Sequence, residues 1–564
     1  MGEINHRVRL ALLLAVPFVA LMLLVPPRGD FPLNDDWVYA KMVQALAEDG
    51  HIGFSPLSNA FAITQTLYAA PLVKLFGFSF TLLRLTTIFM AWVTVCTVAF
   101  TARELGLPNR SALLAGLTVL VNPLFINLSY TFMTDVPFCA FASISTYYFV
   151  KALRTPLTRY LLLGTLFSIA AFYNRQLGVL IPFAFVAVAL MNWSKSRSYF
   201  AIQYFGVLLV PWILAFGTIF LLNVPESEQI VPKLRGGRFS GLELVISFLL
   251  GAAATFFYIG TMVAPLGYAA NARLLALPNR EPRIYLTKVV FASLLLSVFA
   301  LAWLIVRDFQ LVVPILRLNE DVGVGVVAFS FLRPSDPLTW LPVQVTFRLP
   351  RLVLFVLCFL VCTPSVIVVT AIFGRLRSGI SIRAMQRQFL LAQSGLLILL
   401  PAFAMTGPYF DRYFLGTIHV LALLAVTILG YRPQSIHLRA ASFVSAMLFV
   451  FSVAGVQDYM AWNTARWQGI KILRTKYGAH DYQIDAGYEF NGMYTSQEFI
   501  RLSRTEPYKV EYQKWWVVND TYRVSPIRLR PRLNDEILKE VPYFSWMGFT
   551  TRYVYLYGPK AAES

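Results

Sequence analysis

The stretch "RLALLLAVPFVALMLLVPPRGDFPLNDDWVYA", residues 9–40, joins two features that rarely sit together. Leu10 to Val25 is an unbroken apolar run, close to the length that crosses a bilayer as a helix. Arg7 and Arg9 stand before it, and "PPRGD" follows without a small-x-small cleavage pattern. The run therefore reads as a retained first transmembrane helix rather than a removable leader. Just beyond it stand two adjacent carboxylates, Asp35 and Asp36. What they do depends on which side of the membrane they face, and that follows from the rest of the chain.

The chain has 564 residues, 57% of them hydrophobic and only 14% charged. A soluble protein of this size has no use for so much apolar surface, so repeated apolar runs with charged punctuation mean a polytopic membrane protein. Hydrophobic runs at 10–27, 80–101, 111–129, 137–152, 160–173, 177–193, 200–222, 242–266, 287–306, 351–373, 388–406, 413–430 and 438–457 predict about thirteen transmembrane helices. Residues 310–350, interrupted by Pro314, Pro334, Pro337 and Pro342, read as an extramembrane loop. Cys96, Cys139, Cys358 and Cys362 all fall within apolar runs and read as buried thiols, not as a disulfide framework or a metal site.

The net charge of +19 is distributed as topology rather than as a nucleic-acid footprint. With the N-terminus in the cytoplasm, the inner segments carry 19 basic residues, among them Arg7, Arg103, Lys151, Arg154 and Arg432. They carry three acids, Glu3, Glu104 and Glu281. An odd number of spans puts the C-terminus outside. Apolar runs give way to Tyr, Trp and charge near Gln457, which divides the chain into a transmembrane domain (1–457) and an extracytoplasmic α/β soluble domain (458–564). In the latter, "KWWVVND" (514–520) and "RYVYLYG" (552–558) read as strands and "WQGIKILRTKYG" (467–478) as an amphipathic helix. Within the first outer loop (28–79), residues 37–76 read as two interfacial helices that roof a cavity. The layout fits a bacterial inner membrane; placement in a eukaryotic endoplasmic reticulum stays open.

On this layout four polar clusters share the outer face: "NDD" (34–36), "TFMTDVPF" (131–138), "YNRQLG" (173–178) and "GPYFDRYFL" (407–415). Ionisable groups at helix ends inside a bundle are costly and mark function by default. Each has a plainer reading. "NDD" could only start a helix, and Asp135 could only cap one, since both residue types are preferred N-caps. Arg412 could pair with Asp411 or with lipid head groups, and Arg84 could be a snorkelling anchor. Tyr39 and Tyr409 could belong to an interfacial aromatic belt. Asp485, Glu489 and Asn491, in "YQIDAGYEFNGMY" (482–494), read chiefly as turn-stabilising groups.

The clusters taken in order resemble the GT-C superfamily of integral-membrane glycosyltransferases, and within it the group of protein O-mannosyltransferases and lipid A aminoarabinose transferases. The acidic pair with Tyr39 following is similar to that family's first-loop motif. "LFGFSFTLLRL" (75–85), "TDVPF" (134–138), "NRQLGVLIP" and "RYFL" (412–415) resemble its later motifs. The chain departs from the pattern at Val38 and at Thr64–Gln65, where members often carry basic residues, and "RYFLG" lacks the final proline. The resemblance implies transfer of a sugar from a polyprenyl phosphate to an acceptor hydroxyl, on lipid, polysaccharide or protein, at the outer membrane face with inversion. It implies Asp35 as general base with Asp36 as the alternative, and Asp135 as a second acid that orients the acceptor or holds a divalent ion. Arg412, with Arg175 and Arg84, is implied as donor-phosphate ligand, and Tyr39 and Tyr409 as sugar contacts. No cofactor is required by this reading, and a divalent metal ion is left open. A lipid-linked sugar flippase is the alternative. It would want internal repeats and polar groups at mid-membrane, whereas the clusters here sit at one end. A non-catalytic scaffold is the third reading.

Overall fold

The computed structural model describes residues 2–55, 57–58, 60–192, 202–222, 255–270, 282–306, 351–376, 382–404, 411–429, 435–510, 516–526, 528 and 535–560. The loop expected at 310–350, the first part of the expected span 242–266 and Tyr409 lie outside these residues. The chain is predominantly helical and ends in a small sheet. Helices fall on the apolar runs where these are described, and two more on the first loop: α1 Gly2–Leu24, α2 Asp36–Glu48, α3 Ile63–Phe76, α4 Phe80–Glu104, α5 Asn109–Leu120, α6 Pro123–Ser129, α7 Asp135–Arg154, α8 Thr158–Asn174, α9 Leu180–Met191 and α10 Ile202–Leu221. A helical stretch covers 255–270. Beyond it come α11 Pro282–Val306, α12 Arg351–Leu376, α13 Ile382–Ala404, α14 Ile418–Leu429 and α15 Ser435–Lys476.

Among the described residues, four helices are long and apolar enough to cross a membrane: Asn5–Leu24, Phe80–Glu104, Asp135–Arg154 and His437–Lys476. The run 111–129, read as one span, is a pair, α5 and α6, bent by 68°. The break has a local cause. Pro123 lacks the N–H that would continue α5, and the Asn122 side chain accepts from Phe125 N–H (3.1 Å) to start α6. Shorter apolar helices complete the bundle, including Gly206–Leu221, Leu286–Phe299 and Phe414–Ile428. Large apolar side chains such as Leu23, Phe89, Phe183 and Phe220 point outward, as they do where lipid rather than water is the solvent. The chain is an integral membrane protein. All four cysteines are free and buried, as their apolar surroundings suggested.

The bundle has two polar ends. At one, α4 begins with Phe80 N–H donating to Asp30 (2.7 Å), and α7 begins at Asp135. At the other, Glu104 closes α4 and is met by Arg7 (3.0 Å), Arg154 (3.6 Å) and Lys151 (3.9 Å). The 25 residues of α4 separate these ends by about 37 Å at 1.5 Å per residue. Arg7, Lys151 and Arg154, three of the basic residues assigned to the inner side, thus gather at the end opposite the acidic pair.

α2 and α3 are the two helices expected within residues 37–76. α2 buries Trp37, Val38, Tyr39, Ala40, Met42 and Val43. The C-terminal part covers it. α16 (Tyr488–Tyr494) and α17 (Ser496–Thr505) accompany a four-stranded sheet in the order β1-β2-β4-β3. Its strands are β1 Ile484–Asp485, β2 Tyr522–Ser525, β3 Asp535–Ser545 and β4 Thr550–Pro559. β1 and β2 are parallel and the other pairs antiparallel. "RYVYLYG" lies in β4 as expected. "KWWVVND" does not form the expected strand in its described part: Trp516 has φ +58, which leaves the extended region, and pairing begins only at Tyr522. The composition change at Gln457 falls within a helix, since α15 runs unbroken through it for 42 residues and takes in 467–476 of the predicted amphipathic helix. The sheet is pinned to α15: Asp458 accepts from Ser545 Oγ (2.5 Å) and Trp546 N–H (2.5 Å).

α16 meets α2 without slack. A Cβ at Gly492 would overlap the buried Trp37 indole. Gly492→Ala is therefore expected to cost about 1–3 kcal/mol by overpacking, read as a lowered Tm of the purified protein in detergent; an unchanged Tm would show that the contact yields freely.

Candidate active site

The turn before α2 sets the first carboxylates. Asn34 takes φ +59, a left-handed conformation that Asn tolerates better than most residues. Asp35 then occupies the N-cap position of α2 but makes no capping hydrogen bond. Its carboxylate is engaged elsewhere. Arg412 Nη2 donates to Oδ2 (3.1 Å), and the Tyr488 hydroxyl donates to Oδ1 (2.5 Å). Arg412 stands on the 3-10 turn Asp411–Thr417, so three distant segments converge on one carboxylate. The Asp35 side chain keeps 21% of its surface exposed.

Asp36 is built differently. It is fully buried, and its two oxygens accept from the Phe132 N–H (2.8 Å) and the Leu33 N–H (3.2 Å). Burial pushes its carboxyl well above the ordinary range, against the opposing pull of Arg84 and of those two amides. Asp36 ties the first loop to the segment before α7. Phe132 also gives its carbonyl to Gln65 Nε2 (2.7 Å) on α3.

Asp135 is the first residue of α7, one past its N-cap Thr134. The helix N-terminus favours its negative charge, and Arg175 pairs with its Oδ1. Its Oδ2 is buried with no hydrogen-bond partner among the described residues. Arg175 ends α8, where Asn174 Nδ2 fixes the Thr134 carbonyl (2.7 Å). Tyr39 lies within electrostatic reach of both pairs, Asp35–Arg412 and Asp135–Arg175. Burial first, then the Asp35 charge, pushes its hydroxyl above the usual tyrosine range and keeps it a neutral donor. The two acid–arginine pairs, Asp35–Arg412 and Asp135–Arg175, with Tyr39 within reach of both, make up the candidate site.

Arg84 does not join it. Its side chain is fully buried, with Nη1 donating to the Gly29 carbonyl (2.5 Å) and Nη2 to that of Phe31, over the Phe31 ring. That is a structural clamp on the chain entering the site, in place of the phosphate contact expected of it. Tyr409 is outside the described residues, and the Asp411 side chain likewise. Among the described residues, no group of three or more His, Cys, Asp or Glu gathers to hold a metal ion.

The C-terminal contribution was underread in sequence. Tyr488 reaches Asp35, and its ring sits edge-on to Trp37 and tilted against Trp516. Glu489 is not a turn group: it is fully buried, accepting from Asn34 N–H (3.2 Å) and from Arg466 Nη1 (2.8 Å). Asp485 and Asn491 do stabilise a turn, through Asn491 Nδ2 to Asp485 Oδ1 (2.8 Å). The signal available was the density of polar and aromatic residues in 482–494; nothing local said what they meet.

Burial that raises the Asp36 carboxyl makes the folded state bind a proton more readily than the unfolded chain. Its contribution is most favourable below the ordinary value of 3.8 and is lost as pH rises toward the raised folded value. Asp36→Asn removes that titration. The variant is expected to show a flatter dependence of Tm on pH between about pH 4 and 7 than wild type; parallel curves would show that Asp36 does not titrate in this way.

The family model for dolichyl-phosphate-mannose-protein mannosyltransferase matches residues 66–216. No curated protein matches the chain. Among solved structures, ArnT from Cupriavidus metallidurans bound to undecaprenyl phosphate is similar at 14% identity and a TM-score of 0.39, covering 99% of each chain. ArnT from the same organism in the apo state is similar at 14% identity and a TM-score of 0.38, covering 97% of this chain and 99% of the other. The matched segment 66–216 runs from α3 to α10 and includes Asp135 and Arg175, and over it the chain is similar to the mannosyltransferase family of the GT-C glycosyltransferases, as its ordered polar motifs suggested.

Proposed function

We propose that the chain is a GT-C-type glycosyltransferase that moves a sugar from a polyprenyl-phosphate donor to an acceptor hydroxyl, with Asp35 as the general base. The observation that carries this reading is the Asp35–Arg412 pair, with Tyr39 within electrostatic reach of it and of a second acid–arginine pair, Asp135–Arg175. The dolichyl-phosphate-mannose family match over residues 66–216 supports the donor class. A sugar linked through phosphate to a polyprenyl tail suits a site at one end of a lipid-facing bundle, with the tail among the apolar helices and the head group at the polar end. On the topology read from basic-residue placement, that end and the C-terminal segment face the extracytoplasmic side.

In the reaction, the acceptor oxygen forms a bond to the anomeric carbon. The bond from that carbon to the phosphate oxygen breaks, and its electron pair leaves on the polyprenyl phosphate. Asp35 takes the acceptor proton as the new bond forms. A single displacement of this kind inverts the anomeric centre. Arg412 and Arg175 are placed to meet the growing charge on the phosphate, and a guanidinium suits that task because it stays charged and binds phosphate in a fork. Arg412 donates to the Asp35 carboxylate. A phosphate arriving there would compete for the guanidinium and release a carboxylate oxygen toward the acceptor. Asp36, walled off by burial, is left out of the chemistry.

Transfer is measured with purified protein and a mixture of radiolabelled polyprenyl-phosphate sugars, using extracted membrane glycolipids and protein as acceptors. Asp35→Asn is expected to lower turnover by about 100- to 10,000-fold, the span typical of general base removal. Arg412→Ala is expected to lower it by about 100- to 1,000-fold. No transfer from any donor by wild type, or equal transfer by all three proteins, would remove the assignment.

A further inference from the structure

Two consecutive residues of the C-terminal segment end on the same turn of the first loop. Tyr488 donates its hydroxyl to the Asp35 carboxylate (2.5 Å), and Glu489 accepts the N–H of Asn34 (3.2 Å). Asn34 is the residue with φ +59, so its amide is bound where the backbone is least at ease. The grip has its own foundation. Glu489 is held through its second oxygen by Arg466 (2.8 Å), and Arg466 Nε donates to the Ala486 carbonyl (2.8 Å). Arg466 is a residue of α15, which rises from the bundle. Gly487, at φ +88, makes the turn that starts α16 and lies against the Arg466 guanidinium.

We propose that Tyr488 and Glu489 are positioning residues for the base, so that the transfer site is completed only when the C-terminal segment is seated on the first loop. This inference rests on the reading of Asp35 as base. The groups facing Asp35 are Arg412 from the 3-10 turn, Tyr488 from α16, and Tyr39 and Asp36 from α2; Glu489 stands behind Tyr488. Glu489 sets the backbone, and Tyr488 holds one carboxylate oxygen, leaving the other to exchange Arg412 for the acceptor. Burial and the neighbouring Asp35 charge push the Tyr488 hydroxyl well above the usual tyrosine range, so it remains a donor throughout.

The test has two arms. In the first, turnover and donor KM are measured for wild type and Tyr488→Phe with the radiolabelled polyprenyl-phosphate sugar mixture. Loss of the hydroxyl frees one carboxylate oxygen to turn away from the acceptor. Turnover is expected to fall about tenfold or more, with the donor KM within about twofold of wild type. Wild-type turnover in the Phe variant overturns the role of Tyr488. In the second, amide exchange of the peptide 31–40 is followed by mass spectrometry in Arg466→Met/Glu489→Leu, which replaces the buried ion pair by apolar groups of similar size and so preserves the fold. Exchange there is expected to rise about tenfold, and unchanged exchange overturns the clamp. If wild type transfers no sugar, the base assignment fails and the exchange arm alone decides whether the C-terminal segment seats the turn.

Discussion

The Asp35 carboxylate is held on one oxygen by a guanidinium and on the other by a phenol, and those donors come from segments 377 and 453 residues away along the chain. A charge at the end of an apolar bundle is costly to leave unmet. Here each acid at that end finds its own answer. Asp135 takes Arg175 and the N-terminus of α7; Glu489 takes Arg466 and a backbone amide; Asp36, enclosed, is met by two amides. Satisfying the charges draws α2, α7, α8, the 3-10 turn and α16 onto one another, so the electrostatics of the site and the packing of this end of the molecule are the same problem.

Much of this was legible from the chain. Length and polarity of the apolar runs located the helices, because a bilayer imposes a simple requirement on spanning segments. The placement of basic residues separated the two ends of the bundle, which the structure repeats in the grouping of Arg7, Lys151 and Arg154 around Glu104. Asp35, Asp135, Arg175 and Arg412, which the structure joins as two ion pairs, were readable as candidates because ionisable residues at helix ends are rare enough to be counted.

Other parts were illegible for physical reasons. Asp35 and Asp36 look alike in sequence, and only the turn of Asn34 decides that one faces a guanidinium and the other the interior. Arg84 carries the same charge as Arg412, but its side chain meets the Gly29 and Phe31 carbonyls before anything else. Tyr488 and Glu489 sit in a stretch rich in Gly, Asn and Asp, the composition of turns, and their partners lie at the other end of the chain. The break between α5 and α6 was marked by Pro123, but hydropathy alone runs straight across it.

Helix α15 has a further consequence. Its 42 residues make a rod about 63 Å long at 1.5 Å per residue, while the hydrocarbon layer is only about 30 Å thick. The helix is about twice that thickness in length and has no joint, and the sheet is bolted to it at Asp458. Such a rod works as a ruler. It fixes how far the Tyr488 ring stands from the apolar bundle, through Arg466, Ala486 and Glu489, and on the proposed reading so sets how far a partner molecule must hold its reacting group to reach the carboxylate.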